Sequence, residues 1–158
     1  MSIKGDRTGT GPSFPTEIDF DPLPSVLEAK AAWSHFGGLS ISAALALFRD
    51  NPLYYQEDFM FMGRRAFVYY FPVLDLYLRE FRVSEDEDES VAAIIGSGII
   101  AQIESSSDSC LVPIHPAIRS LADFVCSHTK FLAEDPDEQA RIIKHWRPIY
   151  SALESVQK

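Results

Sequence analysis

The strongest hydrophobic pattern in the chain runs from residue 58 to residue 81. Its apolar side chains recur at intervals of three and four residues, which is the pattern of an α-helix with one deeply buried face. Gly63 marks a start, and Pro72 lies inside the pattern, where a proline removes one backbone hydrogen bond and predicts a kink. We therefore expect a long helix that forms much of the core. Its predicted buried residues are Phe67, Tyr70, Phe71, Leu74, Tyr77, Leu78 and Phe81.

Two shorter helices are predicted on the N-terminal side of this pattern. The first spans residues 25–35, where a capping box starts it and Gly37-Gly38 ends it. The second spans residues 40–48 and ends at Asn51-Pro52. Between residues 53 and 62 apolar residues occupy successive positions, so they would face both sides of a strand or turn. We expect an irregular buried connection there, with a patch that faces a partner as the alternative.

A fourth helix is predicted to begin at the acidic run of residues 85–89, because carboxylates suit the first turns of a helix. The helix continues through Ile95 and Ile99 to Ile103. Gly96 and Gly98 each disfavour a helix by about 1 kcal/mol relative to alanine. Their presence predicts close packing against another helix as the compensation.

Two more helices are predicted near the C-terminus. The first begins near Pro116 and keeps an apolar face as far as Leu132. The second begins at Asp135, which has a strong start signal, and should kink at Pro148. The predicted buried stripe of this last helix is Ile143, Trp146, Tyr150 and Leu153.

Residues 1–24 differ in composition from the rest of the chain. They are rich in Gly, Pro, Thr and Asp, which disfavour regular structure, so we expect a flexible arm. Phe14, Ile18 and Phe20 are the apolar residues that would hold this arm to the core. Residues 25–158 then form a single helical domain. The predicted fold is all-α, an irregular bundle of about six helices.

The charge of the chain limits its partners. It has 158 residues and a formal net charge of −9, and this sign opposes nucleic-acid phosphates and anionic lipid. Residues 84–158 carry 13 acidic and 6 basic side chains, so a basic partner would be drawn to this half. No apolar run reaches the length of about 18 residues that spans a bilayer, and the N-terminus does not resemble a signal peptide. We expect a cytoplasmic protein.

The residues that could carry catalysis or bind a metal are not spaced for either role. Cys126 and His128 are two positions apart, and on a helix such side chains point about 200° away from each other. Adding Cys110, His115 or His145 produces no set of four ligands with workable spacing. We expect no catalytic residue, metal or cofactor, and two reduced cysteines without a disulfide.

Two clusters are candidates for contact with a protein partner. The first lies between residues 53 and 62, where tyrosine and methionine, which are favoured in interface cores, are frequent. Its candidate residues are Tyr54, Tyr55, Glu57, Asp58 and Phe59. The second cluster either caps a helix and keeps the protein soluble or steers a basic partner. It consists of Glu85, Asp86, Glu87, Asp88 and Glu89.

Two segments carry a resemblance to known proteins. They are HFGGLSISAALALF at residues 35–48 and RRAFVYYFPVLDLYL at residues 64–78. The second resembles the aromatic Tyr-Tyr-x-Pro helix of small uncharacterised bacterial proteins, some of which are similar to immunity proteins that neutralise a toxin by binding it. The resemblance implies a bacterial cytoplasmic helical protein, and it transfers no catalytic residue because its motifs are core positions.

These observations together favour a protein-binding module, and specifically an immunity protein that neutralises a basic toxin by direct binding. A small-ligand-binding protein or an enzyme of unknown reaction is one alternative, and a structural or oligomeric accessory protein is another. A polar pocket with convergent titratable groups would favour the first alternative. A large self-complementary apolar surface would favour the second, and the sequence leaves self-association open.

Overall fold

The computed structural model describes residues 14–21, 27–83, 90–105 and 109–157. Within these ranges 82% of the residues are helical and none lies in a strand, which confirms the all-α class. A 3₁₀ turn at Val112–Ile114 leads into one of the helices. In chain order the helices are α1 (Glu17–Phe20), α2 (Leu27–Phe36), α3 (Ile41–Asp50), α4 (Pro52–Phe61), α5 (Arg64–Glu80), α6 (Val91–Ser105), α7 (His115–Ser127), α8 (Thr129–Leu132), α9 (Pro136–Trp146) and α10 (Pro148–Gln157).

Helix α5 is the long helix that the sequence predicts, with the buried side expected. It begins after its N-cap residue Gly63 and continues through Pro72, which lies on the exposed side. All seven predicted core residues are buried, with 8% exposure or less. Helices α1, α3, α6 and α7 pack against α5, so it lies at the centre of the bundle.

Helix α6 is the second central element and packs against α4, α9 and α10. Its predicted close approach to another helix is confirmed at Gly96, which lies against the ring of Trp146 on α9. At Gly98 the nearest side chain, Met60, is at ordinary contact distance. The acidic run at residues 85–89, which was expected to form the first turns of this helix, lies outside the described residues.

The expectation of an irregular connection or strand at residues 53–62 is wrong, because these residues form helix α4. Asn51-Pro52 ends α3 and also starts α4: the Asn51 side chain accepts a hydrogen bond from the backbone N–H of Tyr54, and Pro52 occupies the first helical position. Apolar residues lie on both sides of α4. Residues 53–62 therefore show no apolar pattern confined to one face, which is the pattern by which a helix is recognised from sequence.

Part of the predicted N-terminal arm forms regular secondary structure. Residues 17–20 form helix α1, and Phe20 is fully buried, where its ring packs against Trp33 and Tyr70. Ile18 is 73% exposed, so it does not hold the arm to the core as expected. Residues 1–13 and 22–24 of the predicted arm lie outside the described residues.

The C-terminal segments contain more breaks than the sequence predicts. The helix expected from Pro116 to Leu132 ends at Ser127, and a short helix, α8, follows. The last predicted helix is split at Arg147 into α9 and α10, because a proline follows directly and has no N–H to continue the ladder. The number of helices therefore exceeds the six expected. The buried stripe of the last segment contains Ile142, Trp146, Ile149 and Leu153, whereas Ile143 and Tyr150 are half-buried.

No single helix among the described residues is long and apolar enough to cross a membrane. Helices α2 and α3 have the required length and composition only when taken together, and they meet at a bend of 113°. Helix α6 is apolar as well, but it has 15 residues, and nine of them are buried inside the bundle.

Candidate interaction face on helix α4

Helix α4 presents large apolar side chains to solvent as well as to the core. Leu53 is 40% exposed, Tyr54 56% and Phe61 39%. Residues 53, 57 and 61 are four apart and so lie on one stripe of the helix, and Tyr54 lies beside that stripe. Glu57 is exposed between them. We call Leu53, Tyr54, Glu57 and Phe61 the α4 outer face.

The C-terminal end of α4 is fixed to the core by a side chain from α6. Gln102 is 2% exposed, and its Nε2 donates hydrogen bonds to the backbone oxygens of Phe59 at 2.9 Å and Met62 at 2.7 Å. The last four carbonyl oxygens of a helix accept no hydrogen bond from within the helix. When they are buried, they therefore need a donor from elsewhere in the protein. Gln102 therefore holds the end of α4 in one position against α6.

The other side of α4 is joined to α2 by a hydrogen bond between a half-buried histidine and a buried carboxyl group. His35 Nδ1 lies 2.7 Å from Asp58 Oδ2, and Asp58 is 5% exposed. Burial raises the pKa of the Asp58 carboxyl above its ordinary value, while the hydrogen bond and charge of His35 oppose this shift. An ionised carboxylate can only accept, so Nδ1–H of His35 is the donor and Nε2 is left for another partner.

Two tyrosines of α4 surround the ring of His35. The Tyr55 ring meets it edge-on at 5.2 Å between centroids, and the Tyr54 ring lies 5.5 Å away. The Tyr54 hydroxyl is 3.5 Å from His35 Nε2, which is the outer limit of a hydrogen bond. The contacts with His35 and Tyr55 hold the exposed Tyr54 ring in one orientation at the surface.

The structure divides the first predicted cluster between two sides of one helix. Tyr54 and Glu57 lie on the outer face, whereas Asp58 and Phe59 are 5% and 2% exposed and point into the bundle. Tyr55 is half-buried between His35 and Phe36. The second predicted cluster, Glu85 to Glu89, lies outside the described residues.

Sequence reasoning missed two residues of this face, Leu53 and Phe61, and two residues that hold the helix, His35 and Gln102. His35 is 23 positions from Asp58 and Gln102 is 43 positions from Phe59, so no local spacing marks either contact. Phe61 was overlooked because residues 53–62 were not read as a helix. The helical spacing of Leu53, Glu57 and Phe61 is the signal that could have found it.

His128 and Cys126, which were considered from the sequence as a metal or catalytic pair, make contacts typical of structural residues. His128 stacks on Phe124 at 4.5 Å and on Phe131 at 5.3 Å, and its Nδ1 is 2.8 Å from the Phe124 carbonyl oxygen. Burial raises the pKa of the Cys126 thiol, which disfavours the reactive thiolate. Within the described ranges, no three His, Cys, Asp or Glu side chains are grouped to hold a metal ion.

The two segments that carry the resemblance each contribute buried residues to the core of the bundle. Residues 35–48 include the end of α2 and most of α3, and residues 64–78 form most of α5. Of the two adjacent tyrosines in the second segment, Tyr70 is fully buried and Tyr69 is half-buried. No protein-family model matches the chain, and no curated protein or solved structure matches it.

Proposed function

We propose that this protein is a protein-binding module that uses the α4 outer face to bind a basic protein. The observation that carries the proposal is the exposure of Leu53, Tyr54 and Phe61 on one side of a helix that is fixed on its other side. Isolated exposed apolar residues are common on protein surfaces, but a contiguous group on a rigid element is typical of an interaction site.

The anchoring of α4 supports tight binding. Association must order the side chains and loops that form an interface, and a surface that is already ordered avoids much of this loss. The Gln102 hydrogen bonds and the His35–Asp58 pair order α4 before a partner arrives. Tyr54 has few rotatable bonds and a large ring, which is the kind of side chain that dominates the free energy of binding at interfaces.

The charge supports a basic partner. The chain has a net charge of −9, and Glu57 is the charged residue within the α4 outer face. An acidic surface accelerates encounter with a basic protein and disfavours acidic ones. The form of the proposal in which the partner is a toxin rests on the resemblance of residues 64–78 to bacterial proteins that are similar to immunity proteins. An inhibitor of that kind needs a complementary surface and no chemistry of its own.

The experiment compares the binding kinetics of the parent protein with those of its variants. The partner is first identified as a basic protein that is encoded beside this chain or that co-purifies with it from its own cells. Tyr54→Ala and Phe61→Ala should then raise the dissociation rate at least about tenfold, since buried anchors mainly slow release. Replacing Glu85, Asp86 and Glu87 by amides should mainly lower the association rate and flatten its dependence on salt.

Phe131→Ala is the matched control for Phe61→Ala. Both residues are phenylalanines, with 40% and 39% of their surface exposed, but Phe131 lies on α8. The control should bind like the parent. If Tyr54→Ala and Phe61→Ala also bind like the parent, the α4 outer face is not the interface and the proposal fails.

A further inference from the structure

Two adjoining cavities lie along the N-terminal half of α5, and neither is lined by the α4 outer face. Their volumes are about 540 Å³ and 780 Å³, and they share Asp19, Arg65 and Cys110. Ligand pockets in proteins usually enclose about 300–1,000 Å³. The larger cavity alone is therefore of a size that holds a small molecule.

The floor of the larger cavity is one side of α5. Arg65, Val68, Tyr69 and Pro72 lie three and four positions apart on this helix, and all four line the cavity. Phe14, whose ring lies 5.4 Å from that of Tyr69, closes one side. Apart from Arg65 and Asp19, the lining is made mainly of apolar side chains. The other described residues that line it are Pro15, Ile41, Cys110 and Ile114.

The charges at the shared end of the cavities favour an anion. Arg65 is exposed and makes no hydrogen bond or ion pair with the residues that the structure describes. Asp19 carries the opposite formal charge, and its Oδ2 accepts from the Thr16 backbone N–H at 2.8 Å and from the Thr16 hydroxyl at 3.2 Å. Arg64 adds a second positive charge to the smaller cavity. With two arginines and one carboxylate, the described residues that line the two cavities have a formal net charge of +1.

We propose that these cavities form a binding site for a small amphipathic anion, specifically a carboxylate on an apolar body. The carboxylate pairs with the guanidinium of Arg65, whose planar fork matches two carboxylate oxygens. The apolar body lies along Val68, Tyr69 and Pro72, where its removal from water supplies most of the binding free energy. The site is separate from the α4 outer face, so it does not depend on the function proposed above.

The test titrates the 158-residue chain with decanoate in a calorimeter, and with 1-decanol as the uncharged comparison. Decanoate should bind at one saturable site and more tightly than 1-decanol. Arg65→Gln should weaken decanoate binding at least about tenfold, which corresponds to about 1.4 kcal/mol, and should leave 1-decanol binding unchanged. Val68→Trp places an indole in the larger cavity and should weaken the binding of both compounds.

Arg147→Gln is the matched control, because it removes the same charge from an exposed arginine outside the cavities. It should bind decanoate like the parent, and so should Tyr54→Ala. Thermal unfolding of each variant checks that it is folded. The proposal is overturned if the parent shows no saturable decanoate binding. It is also overturned if a folded Arg65→Gln protein binds decanoate as tightly as the parent does.

Discussion

The indole ring of Trp146 lies so close to Gly96 that a Cβ on this glycine would be 2.7 Å from both Cδ1 and Nε1 of the ring. The same Nε1–H donates a hydrogen bond of 2.7 Å to the backbone oxygen of Ala92, one turn earlier on α6. Trp146 is fully buried. Helices α6 and α9 therefore approach each other at a distance that only a glycine at position 96 allows.

Gly96→Ala should lower the free energy of unfolding by about 1–3 kcal/mol, because the new methyl group overpacks against a ring that cannot move away. Gly98→Ala is the matched control. Its Cβ would lie 3.7 Å from Met60 Cβ, which is an ordinary contact, so the gain in helix propensity of up to about 1 kcal/mol should remain. Urea unfolding measures the free energy of unfolding of both variants. Equal effects at the two positions would contradict this account of the packing.

Phe71→Ala should lower the free energy of unfolding by about 3–5 kcal/mol, since Phe71 is 2% exposed and its loss leaves a cavity in the core. Leu76→Ala on the same helix is the control. Leu76 is 37% exposed, and its truncation should change the free energy by less than about 1 kcal/mol. Denaturant unfolding measures the free energy of unfolding of the two variants. If Phe71→Ala is as stable as Leu76→Ala, Phe71 is not a core residue.

The fold was predictable from sequence where the buried side chains of a helix recur at intervals of three and four residues along one face. Helix α5 meets this condition, and each of its predicted core residues is buried. Helix α4 does not, because Phe59 faces the core while Leu53 and Phe61 face solvent. At α9 and α10 the predicted stripe contains Ile143 and Tyr150, whereas the structure buries Ile142 and Ile149 instead. Both pairs recur with Trp146 and Leu153 at intervals of three and four residues, so the helical period alone does not choose between them.

The candidate site was predictable only in part. Tyr54 and Glu57 were proposed as partner contacts from composition, and they lie on the exposed side of α4. The contacts that hold this helix depend on tertiary structure: Gln102 reaches it from α6 and His35 from α2. Glutamine is common in apolar helices and histidine is common near helix ends. Neither residue therefore indicates from sequence alone that it hydrogen-bonds to α4.

Gln102→Met tests the anchoring of α4. The methionine keeps a similar volume but cannot donate hydrogen bonds, so the backbone oxygens of Phe59 and Met62 lose their donor. Each unsatisfied buried group costs about 1–3 kcal/mol. The free energy of unfolding should therefore fall, and the amides of α4 should exchange with solvent faster than those of α5. Unchanged exchange in α4 would mean that other contacts fix this helix.

Asp58→Asn tests which has the larger effect on the stability of the fold: the burial of the Asp58 carboxyl or its contact with His35. The pKa of Asp58 is raised in the folded protein, so between its ordinary value of 3.8 and its raised value the folded state binds more protons than the unfolded state. Stability from this group is therefore present below pH 3.8 and is lost as the pH rises through the raised pKa.

Asparagine cannot ionise but keeps an oxygen that accepts from His35 Nδ1–H. The variant should therefore gain stability relative to the parent as the pH increases from 4 to 7 in a series of urea unfolding curves. The opposite trend, with the parent gaining on the variant as the pH rises, would show that the attraction of His35 outweighs the burial of the carboxylate. In that case Asp58 and His35 would stabilise the junction of α2 and α4 as an ion pair.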